Sequence, residues 1–454
     1  MRARAWTATL ASIAAALVGT CGGGPSSVPS PSPAEPGWGV PQRLAPETTA
    51  LLPAVAVDAS GNALAMWTDL THARACHFTP SSGWGAAESV DATEEQPKAA
   101  FDGQGRAIAL WTTGPVRVRG LSTARYEPGI GWGPIVPLVP PSLSSWPFLG
   151  GDLFVRADGS AAVVWRQMVG GQHRMWARRF DPLAGWAPPE LAGEGHGNAS
   201  AARISGDGEG ALIVVWHSSD GATADVRTVR FEPGSGWGTV QVLHSSPGRG
   251  DQSHPPELAV SSDGSAFLVW PAMSAGEASP LWAARYSRAS GWEAPQSITV
   301  AGVRRAVLPF VAADGSGGAI AVWNQDDGNN LQIWSNRYSL GRGWLAAGRL
   351  DSLAPTDVVP NVENARVAGD ARGNGFAVWT QLTQSSPLAL YRTYAARFRL
   401  DGGWSAGQPI DSDNATGPGE IAVDAAGNAI AVWTRGPYPE SQVWANRYSV
   451  TSAR

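Results

Sequence analysis

One tryptophan, returning at nearly even intervals, constrains this chain more than any other feature. Trp67, Trp111, Trp165, Trp216, Trp270, Trp323, Trp379 and Trp433 each close a run of small and aliphatic residues, with a glycine six positions earlier in every copy, from Gly61 to Gly427. A second series, Gly-Trp at Trp38, Trp84, Trp132, Trp186, Trp237, Trp292, Trp344 and Trp404, keeps the same period of about 52 residues. Such a period marks units that cannot bury their apolar faces alone and must stack on their neighbours. With 55 glycines and 35 prolines in 454 residues there is little room for long helices, so the units are expected to be strands.

Each unit reads as four of them. A short first strand ends in a turn such as Asp424-Ala425-Ala426-Gly427-Asn428, where an Asp side chain can cap the turn and a Gly can take positive φ. The second strand, for example 429–433, is apolar on both faces and must be covered on both. The third carries an arginine followed by an aromatic ring: Arg125, Arg179, Arg230, Arg285, Arg337, Arg397 and Arg447, with His77 in the first copy. The fourth begins at Gly-Trp. The chain opens on a lone fourth strand (Gly37-Trp38) and stops after a third (Trp444 to Tyr448), so joining the ends completes an eighth unit. The expected fold is all-β: an eight-bladed β-propeller over residues 37–454, closed by the N-terminal strand. Its two constant turns should share one face and its two variable connections the other.

The repeat resembles bacterial β-propeller repeats of the NHL and related D-x-x-G-N kind, and its Y-x-P-G-x-G-W stretch resembles fucose-lectin propellers. By architecture it is also similar to the eight-bladed lipoprotein of the outer-membrane β-barrel assembly machine. These resemblances imply an exported propeller and leave its ligand open.

Ahead of the repeats, Arg2 and Arg4 precede an apolar stretch from Trp6 to Val18, of signal-peptide length. Residues 1–21 end in Leu17-Val18-Gly19-Thr20-Cys21, which resembles a lipobox with Thr20 in place of a smaller residue; residues 22–36 form a Gly/Ser/Pro-rich tether. We expect Cys21 to be lipidated and the protein to be an envelope lipoprotein at the outer membrane or cell surface, otherwise periplasmic or secreted. The only other cysteine is Cys76, so no disulfide framework is expected.

Chemistry is harder to find. A net charge of −5 with a single lysine, Lys98, argues against nucleic acid. The glycine six before the Trp does not fit the Thr-Gly of quinoprotein docking motifs, and no zinc-protease, phosphate-loop or nucleophile-elbow motif occurs, so no cofactor and no metal are expected. The repeated arginines read either as sugar-binding donors of inter-blade lectin pockets or as guanidinium groups stacked on a Trp of the adjacent strand, and the packing reading is favoured because every unit carries one. Departures from the repeat point better to a ligand: Trp146, Arg166, His173, His217, Asp220, Arg304, Arg305, Asp326, Asp327 and Asn330, expected on the variable loops. The expected function is a monomeric, non-catalytic binding or scaffolding propeller that offers this face to a protein or glycan. The alternatives are a sialidase-like hydrolase or lyase at the mouth of the central channel, and a lectin.

Overall fold

The structure, a computed structural model, describes residues 36–450 apart from short connecting segments, the longest being 141–148, 248–254, 273–278 and 352–361. Eight antiparallel sheets follow one another: blade one spans 51–92, two 98–139, three 149–194, four 198–247, five 257–297, six 305–349, seven 362–409 and eight 420–449. Each is a meander of first to fourth strand, the fourth made in two pieces that both pair with the third. First strands pack beside one another around the whole ring, 51–57 of blade one meeting 420–423 of blade eight.

Closure follows the expectation from the chain ends. Gly37 pairs with Ser449 and Trp38 with Tyr448, then Gln42 with Ala445 and Arg43 with Trp444. Trp38 meets Tyr448 edge to face at 5.7 Å, as Trp132 meets Tyr126 at 5.5 Å inside blade two.

The core lies between blades rather than within them, because a sheet apolar on both faces needs a neighbour on each. All eight second-strand tryptophans are at most 2% exposed. They fill clusters at every junction, including blade eight with blade one, where Ile430 and Val432 pack with Ala65 and Trp67. Aspartate caps hold the turn between first and second strands. Asp58 Oδ1 accepts the N–H groups of Ser60 (2.8 Å) and Asn62 (2.9 Å), and Asp102, Asp207, Asp314, Asp370 and Asp424 accept the same pair of N–H groups in their own turns. The repeat glycine of every copy has φ between 74° and 95°, a region that penalises a Cβ.

Candidate functional site

The repeated arginines form one closed ring, and their partners differ from the expected Trp of an adjacent strand. Each guanidinium lies over the Phe or Tyr of the next blade: Arg125 over Phe180 (5.8 Å), Arg179 over Phe231 (4.3 Å), Arg230 over Tyr286 (4.9 Å), Arg285 over Tyr338 (5.5 Å), Arg337 over Phe398 (5.6 Å), Arg397 over Tyr448 (5.3 Å) and Arg447 over Phe78 (5.7 Å). His77 completes the circle by stacking on Tyr126 at 3.9 Å. The Gly-Trp indole instead packs on the aromatic of its own blade, so the ring that follows the arginine in sequence is left to meet the guanidinium arriving from the preceding blade.

Outside this ring lie grooves between neighbouring blades. The groove between blades four and five encloses about 1080 Å³ and is lined by Arg230, Glu232, Trp237, Gln241, Trp292 and Glu293. A second, between blades three and four, encloses about 630 Å³ beside Arg179 and Trp186. A third, where blade eight meets blade one, encloses about 400 Å³ beside Trp38, Gln42, Trp84 and Arg447. The residue four after the Gly-Trp tryptophan is Gln42, Glu88, Glu190, Gln241, Gln296 or Gln408 in six of eight copies, and Gln241 and Gln42 line the first and third of these grooves. Glu190 accepts from Arg179 of its own blade (2.6 Å) and from the Trp237 indole of the next (3.1 Å). Glu88 joins His77 (2.9 Å) and the Trp132 indole (2.8 Å) in the same way. Burial lowers the pKa of His77 more than Glu88 raises it.

The central channel holds a second ring that sequence reasoning missed. The residue seven before each repeat glycine is Ala54, Lys98, Asp152, Arg203, Glu257, Phe310, Arg366 or Glu420. Charges alternate along it and pair between blades: Lys98 with Asp152 (2.5 Å), Arg203 with Glu257 (2.8 Å) and Arg366 with Glu420 (2.8 Å), while Arg366 also lies 3.7 Å over Phe310. Despite its burial, Asp152 is held below the usual carboxylate range by Lys98 and Arg203 and by the N–H of Ile204. Reading this one position down the eight copies would have exposed the alternation.

The residues picked out as departures from the repeat divide into three groups. Arg166, His173 and His217 are strand residues rather than loop residues, because the second and third strands of blades three and four run on past the tryptophan; they are 6%, 3% and 0% exposed. His173 and His217 hold the segment that leads into blade four: Ala199 N–H bonds His173 Nδ1 (3.0 Å), and Ser200 N–H bonds the His217 carbonyl (2.9 Å). Asp220 caps its own exposed turn through the N–H groups of Ala222 and Thr223, both at 2.8 Å. Arg305 and Asp326 face each other across the first hairpin of blade six. Trp146, Arg304, Asp327, Asn330 and Cys21 lie outside the described residues. Among the described residues no three His, Cys, Asp or Glu side chains gather as a metal site would require.

No family model matches the chain, and no curated protein does. Solved structures to which the chain is similar include a fungal alcohol oxidase of the AA5 family in complex with copper (14% identity, TM-score 0.47, 92% of this chain and 76% of that one). Others are the fucose-specific lectin from Aleuria aurantia (12%, TM-score 0.39, 81% and 99%) and a Penicillium chrysogenum α-L-arabinanase complexed with arabinobiose (12%, TM-score 0.40, 66% and 92%).

Proposed function

We propose that the chain is a glycan-binding propeller whose sugar sites are the grooves between blades. One observation carries this reading: an amide or carboxylate, exposed in five copies and half-buried at Glu190, recurs four residues after the Gly-Trp tryptophan in six of eight copies. It stands beside a planar guanidinium donor and between two half-buried indoles. Sugars present vicinal hydroxyls that suit paired donors and acceptors, and C–H faces that suit aromatic rings. The variable-loop face becomes secondary, since three of its candidate residues are buried.

A glycan-binding screen with the full-length chain tests this. Trp292→Ala and Gln241→Ala, which open the groove between blades four and five, should each weaken saccharide binding by about tenfold without unfolding the protein; unchanged binding would remove the proposal. The same groove also holds Glu232 and Glu293 with Arg230, so saccharide turnover belongs in the assay as the second reading. Turnover that disappears in Glu293→Gln would make the protein a hydrolase. We further propose that Cys21 carries a lipid; Cys21→Ser should move the protein from the membrane to the soluble fraction.

A further inference from the structure

Arg166 is a buried cation with no counter-charge among the described residues. It follows the second-strand tryptophan of blade three, a position held in the other copies by Thr68, Thr112, His217, Pro271, Asn324, Thr380 and Thr434. Threonines at that place make neutral bonds: Thr68 and Thr380 each donate to a carbonyl of the segment leading into the next blade (3.0 and 3.1 Å), and Thr68 also accepts the Leu70 N–H (2.9 Å). Arg166 occupies it with a full cation that is 6% exposed and has no hydrogen bond or ion pair among the described residues, its Nε being wholly enclosed.

His173 shares the same face of the sheet, since Arg166 pairs with Met175 and Met168 with His173 in the register of the two strands. It is 3% exposed. Its Nδ1 lies 3.0 Å from the Ala199 N–H and 3.2 Å from the Gly197 carbonyl, accepting from the first when the ring proton is on Nε2 and donating to the second when it is on Nδ1; Nε2 has no partner among the described residues. Arg166 and His173 lie close enough to repel each other electrostatically. Glu194, on the fourth strand of the same blade, belongs to Arg174 on the opposite face of the sheet (3.3 Å). Residues 195–196, which lie in the chain between blades three and four, contain no Asp or Glu.

A buried cation without a counter-charge carries a large desolvation penalty, and an enclosed guanidinium N–H and an enclosed imidazole nitrogen without partners add to it. We propose that Arg166 and His173 form a binding site for the carboxylate of a ligand at the junction of blades three and four, with Arg166 supplying the charged donor fork and His173 Nε2–H a further hydrogen bond. The site is distinct from the outer grooves and does not depend on the reading given to them.

Thermal unfolding of the full-length chain at constant ionic strength tests the proposal, with acetate, D-glucuronate, methyl glucoside and chloride as additives. Acetate or glucuronate should raise Tm by about 2 °C or more, and methyl glucoside and chloride should not. Equal apparent affinity for acetate and glucuronate assigns a bare carboxylate, and at least tenfold tighter glucuronate assigns a sugar acid. Arg166→Thr, which installs the residue found in blades one, two, seven and eight, should melt no lower than the parent in chloride and lose the carboxylate response. Arg166→Lys, which keeps the charge and loses the planar fork, should respond at least tenfold more weakly. The proposal fails if chloride stabilises as well as carboxylate does, if no carboxylate stabilises the parent, or if either variant responds as the parent does. Neutral-glycan binding in the outer grooves should be unchanged by Arg166→Thr, so failure here and failure of the grooves are separable.

Discussion

Although the repeated arginines are alike in sequence, what surrounds each one sets its worth. Arg337 lies over Phe398 and also bonds Asp314 Oδ2 at 2.8 Å, and Asp314 is 0% exposed. Removing the arginine leaves a buried carboxylate without its cation, so Arg337→Ala should cost about 3 kcal/mol in denaturant unfolding. Arg447 has Ser449 Oγ (3.0 Å) and the Phe78 ring instead, so Arg447→Ala should cost only about 1 kcal/mol. Equal losses would mean that the ring, and not the ion pair, dominates. Asp411 makes the opposite case. Burial pushes its carboxyl up to about 6 against the lowering effect of the Thr393 N–H at 2.9 Å, and its Oδ1 has no partner. The unfolded chain releases that proton near pH 4 and the folded chain only near 6, so the stability this group contributes falls as pH rises between those values. Asp411→Asn should flatten that part of the stability profile and raise Tm at pH 7.

Among the strands, the N-terminal one bears most on integrity. Residues 37–43 give blade eight its outer strand, with Gly39 N–H bonded to the Arg447 carbonyl and Leu44 N–H to that of Val443, both at 2.9 Å. A chain starting at residue 46 would leave the third strand of blade eight with an open edge and uncover the apolar side of the Trp38–Tyr448 contact. Such a truncation should melt several degrees lower and aggregate on heating; a melting curve like that of the full chain would show that the ring does not depend on its clasp. Second strands tolerate even less. Trp323 is 0% exposed, and Trp323→Ala should cost about 3–5 kcal/mol because the blades on either side are held apart by their own sheets and cannot collapse into the cavity.

Across the whole molecule, two rings bind blade to blade: cations on aromatic rings outside, ion pairs inside. The inner ring is the more sensitive to acid. The pKa of Asp152 is lowered in the folded state, so the stability it contributes is present above the unfolded carboxylate value near 4 and is lost as pH falls below it. A double-mutant cycle on Arg203→Met and Glu257→Gln should return a coupling of about 1–3 kcal/mol, since both side chains lie within the channel and pair through two guanidinium nitrogens. A coupling near zero would make this ring an ornament of the fold rather than one of its bonds.

Period, strand count, turn chemistry and ring closure were all legible in the amino-acid sequence, because each depends on residues close together in the chain or on the match between its two ends. The Asp-to-Gly turns are local hydrogen-bonded units, and a strand apolar on both faces admits few settings other than between two sheets. What lay beyond the sequence was which residue of one blade touches which residue of the next. Arg230 and Tyr286 are 56 positions apart, as are the members of the other pairs to within a few residues except Arg447 and Phe78, which close the ring, and only the stagger between adjacent sheets brings the guanidinium to that ring instead of to a tryptophan. Lys98 and Asp152, 54 apart, meet for the same reason. Arg166 and His173 stood out in sequence as departures from the repeat, yet their burial came from two strands running on past the tryptophan and, for His173, from Ala199 bonding its ring, a consequence of how blades three and four pack.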